Sequence, residues 1–315
     1  MVFVYAVLGL LILLLAGDAL VKGAVNLSLR VGIPALIVSL TIVAFGTSAP
    51  ELLISVQAAL EGVPGIALGN VIGSNTANVL LVLGVPALIT VMHTSQCDTR
   101  KSYLLMMAST VLFIALAFRG VFDWIAGLVL LTVLTLILGD AIRDALKHRR
   151  EGKCDEELEE PEGADPEMRW WKICLFLALG LIGLPLGADL LVDSATEIAE
   201  MFGVPDTVIG LTLVALGTSL PELATTVMAA IRKQADVAIG NVIGSNMFNL
   251  LAIIGVASFI APMPVDPNLL RFDIWVMLAS SVLLIPFVIF KLDLNRIWGA
   301  ILTSLYVGYI LLVLT

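Results

Sequence analysis

Charged side chains are scarce in this chain of 315 residues: only 14% are Asp, Glu, Lys or Arg, whereas soluble proteins carry about 25%. Apolar residues make up 59%, against roughly 45–50% in soluble proteins, and the mean hydropathy is +1.05. One soluble core cannot hide so much apolar surface. The composition therefore excludes a soluble enzyme, a nucleic-acid-binding domain and a disordered chain, and it predicts a helical protein that crosses a membrane several times.

Cysteine and histidine are also rare, with three and two copies. An odd number of cysteines (Cys97, Cys154 and Cys174) excludes a disulfide-framed secreted module and predicts free thiols. No metal-ligand spacing joins them, and His93 and His148 are interpreted as isolated loop residues. Because the apolar segments also contain no nucleophile–base pair, we expect that the protein is not an enzyme.

Ten apolar segments are long enough to cross a bilayer at about 20 residues each. They lie near 3–26, 33–60, 66–92, 103–118, 122–142, 171–197, 205–231, 236–262, 272–290 and 295–314. The first has no basic region or cleavage site typical of a signal peptide, so we expect a retained helix. Gly, Pro and polar residues interrupt the second, third, seventh and eighth segments, which indicates broken helices that line an ion site.

Fifteen of the seventeen basic residues fall in loops that share one side of this map, and only Arg119 and Arg271 fall on the other. The positive-inside rule then predicts both termini outside and residues 143–170 in the cytoplasm, with all three cysteines on the cytoplasmic side. Residues 151–167 carry nine carboxylates and one lysine, as expected of a solvated linker. Short loops without an appended regulatory domain favour the inner (plasma) membrane of a prokaryote.

The chain repeats itself at a constant offset of 171 residues. Residues 41–84 align without a gap to residues 212–255, and about half of the positions are identical. Each half holds five predicted spans, an odd number, so the second half must insert upside down. We therefore expect an all-α integral membrane protein of ten transmembrane helices in two inverted five-helix repeats, 1–142 and 171–315, joined by the linker 143–170.

Two glutamates lie inside the repeated motifs: GTSAPE ends at Glu51 and GTSLPE ends at Glu222. An ionised carboxylate at the bilayer centre costs about 2.5–3.5 kcal/mol or more. Neither glutamate has a Lys or Arg in its own span, so each needs another partner. A bound cation would provide it. Protonated glutamates with a purely structural role are the alternative.

Polar residues near the glutamates are spaced four apart, which places both members of a pair on one helix face. The pairs are Thr47 with Glu51, Ser74 with Asn78, Thr218 with Glu222 and Ser245 with Asn249. Carboxylate, hydroxyl and amide oxygens coordinate Ca²⁺ and Na⁺, and no thiolate or imidazole is present to favour zinc or copper.

The GTS-x-PE and GN-x-IGSN-x-x-N pairs resemble the alpha repeats of the sodium/calcium exchanger branch of the Ca²⁺:cation antiporters, and the resemblance covers the first span to the last. It implies Na⁺ and Ca²⁺ sites between the second, third, seventh and eighth helices, with Glu51 and Glu222 as the central Ca²⁺ ligands. The hydroxyl ligands for Na⁺ that it implies are Thr47, Ser48, Ser74, Thr218, Ser219 and Ser245. It also implies that the backbone carbonyls of Ala44 and Ala215 complete the coordination of the ions.

The amides Asn78 and Asn249 occupy matching positions and are further candidate metal ligands. Asn249 stands where archaeal exchangers and the potassium-dependent branch carry Asp, and this similarity to the potassium-independent animal exchangers argues against K⁺ co-transport. Two fixed carboxylates remain. One Ca²⁺ would neutralise them and three Na⁺ would exceed them by one charge, so electrogenic exchange is our hypothesis.

The function that we expect is Na⁺/Ca²⁺ antiport by alternating access, with no cofactor, the two ions as substrates, a lipid bilayer around a monomer, and no nucleic acid. A proton-coupled exchanger is one alternative, although its GN-x-x-E pattern is replaced here by GNVIG. Exchange of another divalent cation and a passive cation channel are further alternatives. Asp18 and Asp189 also match at the offset, either as gating or helix-anchoring residues or as helix-end charges, Asp18 being four residues before Lys22.

Overall fold

The computed structural model describes residues 2–151, 165, 167–202 and 215–313, and only the backbone of residues 148–151 and 215. Most of the acidic linker, including Cys154, lies outside the described residues. So do the first half of the seventh predicted span and the side chain of His148.

The first half of the chain is helical apart from one short strand. Its α-helices are α1 (Val2–Val31), α2 (Ala35–Val38), α3 (Ala44–Thr47), α4 (Ala49–Leu60), α5 (Pro64–Ala77), α6 (Gly84–Ile89), α7 (Arg100–Ala117) and α8 (Trp124–Glu151). Two π-helical segments, Ser39–Val43 and Asn78–Val82, continue α2 and α5, a 3₁₀ turn covers Thr94–Gln96, and strand β1 is Val121–Phe122.

The second half has matching elements. Its α-helices are α9 (Trp170–Met201), α10 (Ala215–Gly217), α11 (Leu220–Ile231), α12 (Ala235–Met247), α13 (Ile254–Ile260), α14 (Pro267–Arg271), α15 (Asp273–Val282), α16 (Ile285–Val288) and α17 (Arg296–Val313). A π-helical segment, Phe248–Ile253, joins α12 to α13, and strand β2 is Met263–Pro264.

The described helices are long and apolar enough for a multi-pass membrane protein. Eight helical segments satisfy both criteria, and the bent pair Ala35–Thr47 and Ala49–Leu60 makes a ninth when it counts as one span. The apolar helix Leu220–Ile231 follows residues that are not described, so the count of ten spans stays a prediction. Helix α1 alone, at 30 residues, is about 45 Å long and exceeds a hydrocarbon core of about 30 Å.

Helices α1 and α9 pack against each other through glycines. A Cβ on Gly9 would lie 2.8 Å from the backbone nitrogen of Leu191, and one on Gly180 would lie 2.5 Å from the Cβ of Leu20. These two contacts are equivalent under the offset of 171, since 9 corresponds to 180 and 20 to 191. Small residues allow this close approach in a bilayer, where helices associate by packing rather than by the hydrophobic effect.

The connecting loops meet at two places. Strands β1 and β2 pair antiparallel, with Phe122 opposite Met263, so the loop before α8 lies beside the loop after α13. An isolated bridge joins Met92 to Leu294 and brings the loop after α6 beside the loop before α17. The predicted map puts the members of each pair on one side of the membrane, and which side is cytoplasmic stays a prediction.

Candidate ion-binding centre

Each glutamate lies in the first turn of a helix that begins at a break. Ser48 (φ −84°, ψ 6°) separates α3 from α4 with a bend of 45°, and Ser219 (φ −87°, ψ 1°) stands at the same place before α11. A proline follows each break at the start of the helix, where its missing N–H breaks no helical hydrogen bond. The carboxylates of Glu51 and Glu222 therefore lie where the positive end of a helix dipole favours negative charge.

These breaks correct one detail of the sequence interpretation. The spacing of Thr47 with Glu51 was expected to place both side chains on one face of a continuous helix, but α3 ends at Thr47. The Thr47 hydroxyl instead contacts the second half of the chain, 3.2 Å from Asn241 Oδ1 and 3.4 Å from Ser245 Oγ. The break itself agrees with the predicted interruption of this span, and only the shared face of Thr47 and Glu51 was wrong.

The polar residues of the motifs are buried inside the helices. Glu51 and Glu222 are fully inaccessible, and the hydroxyl and amide residues of the predicted set are at most 8% exposed. These buried residues are Thr47, Ser48, Ser74, Asn78, Thr218, Ser219, Ser245 and Asn249.

The two predicted carbonyl ligands lie in the short helices before the breaks. The Ala44 carbonyl in α3 accepts hydrogen bonds from Ser48 N (3.0 Å) and Thr47 Oγ1 (3.3 Å). Ala215 begins α10, and only its backbone is described.

The surroundings of the two carboxylates differ. Glu222 Oε1 accepts hydrogen bonds from Ser48 Oγ (3.1 Å) and Ser245 Oγ (3.4 Å), and its Oε2 has no partner in the described part of the protein. Neither oxygen of Glu51 has a partner there. Ser219 and Ser74 match Ser48 and Ser245 at the offset of 171. Their hydroxyl groups also have no hydrogen-bond partner in the described part of the protein.

Buried polar atoms without a hydrogen bond concentrate in the motifs. Ten such side-chain atoms occur among the described residues, and nine belong to the repeated segments, Thr303 Oγ1 being the other. They include both amide atoms of Asn249 and Oδ1 of Asn78, whose Nδ2 donates to Asn246 Oδ1 at 3.1 Å. Since buried polar groups in native proteins are nearly always satisfied, this concentration indicates a site for a polar or charged ligand.

Four asparagines that the sequence analysis did not assign organise this centre. Asn70 donates to Glu51 O (3.3 Å) and to Ser55 Oγ (3.2 Å), and Asn241 makes the same pair of bonds to Glu222 O (3.4 Å) and Thr226 Oγ1 (3.2 Å). Their place in the repeated GN dipeptide was the signal that could have identified them.

The other two asparagines join the halves across the centre. Asn75 Nδ2 lies 3.3 Å from Asn246 O, and Asn246 Nδ2 lies 3.5 Å from Asn75 O. The two bonds are reciprocal under the offset of 171, so the helices α5 and α12 cross at equivalent residues.

Gly244 in α12 packs closely against the segment that continues α2. A Cβ on Gly244 would lie 2.5 Å from Leu40 O. A cavity of about 500 Å³ reaches Asn70, Ser74 and Thr218.

Outside the membrane-spanning helices, the ionisable groups with shifted pKa values include Cys97 and Asp293. Burial raises the pKa of the Cys97 thiol, beside the Asp236 carboxylate. Burial also acts to raise the pKa of Asp293, but hydrogen bonds from Ser95 and His93 outweigh it and hold that pKa below its usual range. His93 is thus not isolated, because its Nδ1 lies 2.9 Å from Asp293 Oδ2. Cys174 is exposed.

The fold and its centre define a class of protein: an all-α, multi-pass membrane protein with a buried oxygen-rich site between helices that break there. The family model described as sodium/calcium exchanger protein matches residues 1–139 and 172–315. The chain belongs to this family.

Known proteins resemble the chain over nearly its full length. CaxA of Alkalimonas amylolytica is 36% identical over 317 residues, covering 97% of this chain and 96% of its own. The sodium/calcium exchanger MaX1 of Methanosarcina acetivorans is 33% identical, with 98% and 97% covered. The solved structure of the sodium-calcium exchanger NCX_Mj superposes with a TM-score of 0.82 at 32% identity, covering 98% of this chain and 97% of that one. Cation exchange, rather than an enzymatic reaction, is the activity that this membership supports.

Proposed function

We propose that the protein is a secondary active antiporter that exchanges Na⁺ for Ca²⁺ by alternating access, with Glu51 and Glu222 as the central Ca²⁺ ligands. The observation that carries this proposal is the pair of fully buried carboxylates, three of whose four oxygens have no hydrogen-bond partner in the described part of the chain. A buried carboxylate needs a counter-charge or a proton, and no Lys or Arg pairs with either glutamate there.

Hydroxyl and amide oxygens complete the proposed coordination. Ser48 and Ser245 lie within 3.4 Å of Glu222, and the unsatisfied hydroxyls of Ser74 and Ser219 occupy the matching positions for Glu51. This donor set suits hard cations that take oxygen ligands. Thr47, Thr218 and the carbonyls of Ala44 and Ala215 belong to the proposed Na⁺ positions, and the names of MaX1 and NCX_Mj support the choice of ions.

The charges of the centre predict that the proposed exchange moves net charge across the membrane. The centre carries two carboxylates, and Asn78 and Asn249 add no charge. One Ca²⁺ neutralises the pair, whereas three Na⁺ leave one positive charge, so exchange of three Na⁺ for one Ca²⁺ moves net charge. The neutral asparagines also leave no carboxylate for K⁺.

The proposal includes ten helices in two inverted repeats, both termini outside, and residues 143–170 on the cytoplasmic side of a prokaryotic inner membrane. The equivalent breaks at Ser48 and Ser219 and the equivalent bonds of Asn70 and Asn241 support the repeat. The cavity that reaches Ser74 is also lined by Leu269 and Val313, in segments that the charge map places at the outer surface, which supports a centre accessible from outside.

Transport into proteoliposomes tests this function. Vesicles loaded with Na⁺ and diluted into Na⁺-free medium should take up Ca²⁺, and both Glu51→Gln and Glu222→Gln should abolish the uptake. The exposed Glu167→Gln serves as the matched control and should transport normally.

Two further gradients separate the alternatives. Uptake driven only by a pH gradient would replace Na⁺ by H⁺ as the coupling ion. Uptake without counterflow would indicate a channel, and rates that ignore an imposed membrane potential would contradict electrogenic exchange.

A further inference from the structure

An ion-pair cluster ties α1 to the turn between α11 and α12. Asp18, in the middle of α1, lies 3.0 Å from Lys22 Nζ and accepts a short hydrogen bond from Arg232 Nε. Arg232 is the residue directly after α11, so the contact joins segments 214 residues apart in the chain. The side chains of Asp18 and Arg232 are each less than 20% exposed, and this burial strengthens their ion pair relative to one in open water.

The backbones of α1 and α11 touch near the same cluster. A Cβ on Gly17 would lie 3.0 Å from the carbonyl oxygen of Ala224, and Ala224 is only 6% exposed. The end of the molecule that contains Arg232 is therefore closed between α1 and α11; we call it the Arg232 end.

The equivalent residues at the other end differ in charge and in packing. At the offset of 171, Asp18 corresponds to Asp189, Lys22 to Asp193 and Arg232 to Glu61, and these three acidic residues are all exposed. Ala224 corresponds to Leu53, which is 69% exposed on α4. This end, the Glu61 end, is open between α9 and α4.

We propose that Asp18, Lys22 and Arg232 form an ionic lock that holds the Arg232 end closed, while the three acidic equivalents oppose closure of the Glu61 end. The inference rests on the proposed alternating access and adds to it that the pair α1 and α9 moves, so that one end opens as the other closes. Closing the Glu61 end by the equivalent movement brings Asp189 and Asp193 toward Glu61, and like charges repel. By the predicted orientation, the lock is cytoplasmic and favours the outward-facing state.

A disulfide that forms only when the Glu61 end closes tests the lock. The reporter is the full chain with Cys97, Cys154 and Cys174 replaced by alanine and with Ala188→Cys and Leu53→Cys added, the positions equivalent to the touching Gly17 and Ala224. With the lock intact, oxidation in liposomes should cross-link slowly. Arg232→Gln or Asp18→Asn should raise the rate about tenfold, since loss of about 1.4 kcal/mol of bias is a tenfold change in population.

Two further variants keep the test decisive. Glu61→Arg, a change at an exposed position, installs a cation opposite Asp189 and should raise the cross-linking rate while the native lock remains. The double variant Asp18→Arg with Arg232→Asp restores opposite charges and should return the rate toward that of the native chain. The exposed Arg271→Gln is the matched control and should leave the rate unchanged.

Rates that do not respond to Arg232→Gln or to Glu61→Arg would overturn the lock, and so would a complete absence of cross-linking in every variant. The readout needs no transport. If the rates respond but Na⁺ drives no Ca²⁺ uptake, the lock stands and the proposed ions are wrong. If uptake is normal and the rates do not respond, the antiporter stands and the lock is wrong.

Discussion

Glu51 and Glu222 occupy equivalent positions in two repeated motifs, yet their contacts differ. Both begin a helix after a serine at a break, and both are fully buried. Glu222 accepts hydrogen bonds from two serines, whereas Glu51 accepts none from the described side chains. Equivalent sequence thus produces unequal electrostatics, because Ser48 crosses to the glutamate of the other half while Ser219 does not.

The comparison predicts unequal effects of the two charge-neutralising substitutions on stability. Without Ca²⁺, Glu51→Gln should stabilise the protein by about 1–3 kcal/mol, because it replaces a buried carboxylate that has no hydrogen-bond partner among the described residues. Glu222→Gln should stabilise it less, since it also weakens two charge-assisted hydrogen bonds. Thermal unfolding in detergent with a Ca²⁺ chelator measures both, with Glu167→Gln as the control.

Saturating Ca²⁺ sharpens this comparison. The native protein should gain thermal stability on adding Ca²⁺, and both glutamine variants should lose that gain. Equal stabilisation by the two variants without Ca²⁺ would show that the two carboxylates have the same surroundings in solution.

The serines at the breaks offer a second test. Ser48→Ala should destabilise the protein by about 1.5–3 kcal/mol, since it removes a donor to an ionised carboxylate. Ser219→Ala should change the free energy of unfolding by less than about 0.5 kcal/mol, because the Ser219 hydroxyl has no described partner. Chemical or thermal unfolding without Ca²⁺ distinguishes them, and a larger effect of Ser219→Ala would reverse the comparison.

The scaffold asparagines differ by a smaller amount. Asn241 is fully buried and accepts a hydrogen bond from Thr47, in addition to donating to Glu222 O and Thr226 Oγ1. Asn70 is half-buried. We expect Asn241→Ala to destabilise the protein by about 1 kcal/mol more than Asn70→Ala, the value of one further hydrogen bond. Denaturant melts of the two variants give the difference, and equal midpoints with equal slopes would contradict it.

Much of the helical framework could be predicted from the sequence. The described helices agree with the predicted spans within a few residues, except that α8 extends to Glu151 and the segment before α15 begins at Pro267. Long apolar runs identify spans because a bilayer demands them, and Pro50 and Pro221 indicate breaks because proline lacks an N–H. None of the three π-helical segments was predicted, because neither Ser39–Val43 nor the two segments that contain Asn78 and Asn249 have a distinct local sequence pattern.

The contacts of the centre could be predicted only in part. A four-residue spacing predicts shared faces on a straight helix, and the break after Thr47 sends its hydroxyl to Asn241 instead. The local sequence predicted only one partner of Asp18, Lys22. The second partner, Arg232, lies 214 residues away in the chain and could not be predicted from local spacing. Such contacts depend on how the two halves pack, and local sequence patterns do not show that packing.

The two loop junctions provide the last and smallest comparison. Asp293 bonds to His93 and to Ser95 N (3.1 Å), residues of a distant loop, whereas Asp123 at the other junction bonds to Arg119 and to Ala126 N (2.9 Å) close by in sequence. Asp293→Asn should therefore lower the melting temperature more than Asp123→Asn at neutral pH, although the difference should be small because solvent screens exposed charged groups.

The pKa of Asp293 gives this effect a defined pH dependence. Because that pKa is held below its usual range, the ionised form stabilises the folded protein at every pH above the unfolded value of about 3.9. The contribution is lost as the pH falls through the lower folded value, so the difference between the native chain and Asp293→Asn should shrink there and not at pH 5–7. Thermal unfolding from pH 7 to pH 3 measures it, with the exposed Asp98→Asn as control. A difference that grows below the unfolded value of about 3.9 would mean that Asp293 contributes in its protonated form, and the hydrogen bonds from His93 and Ser95 would then not be what stabilises this junction.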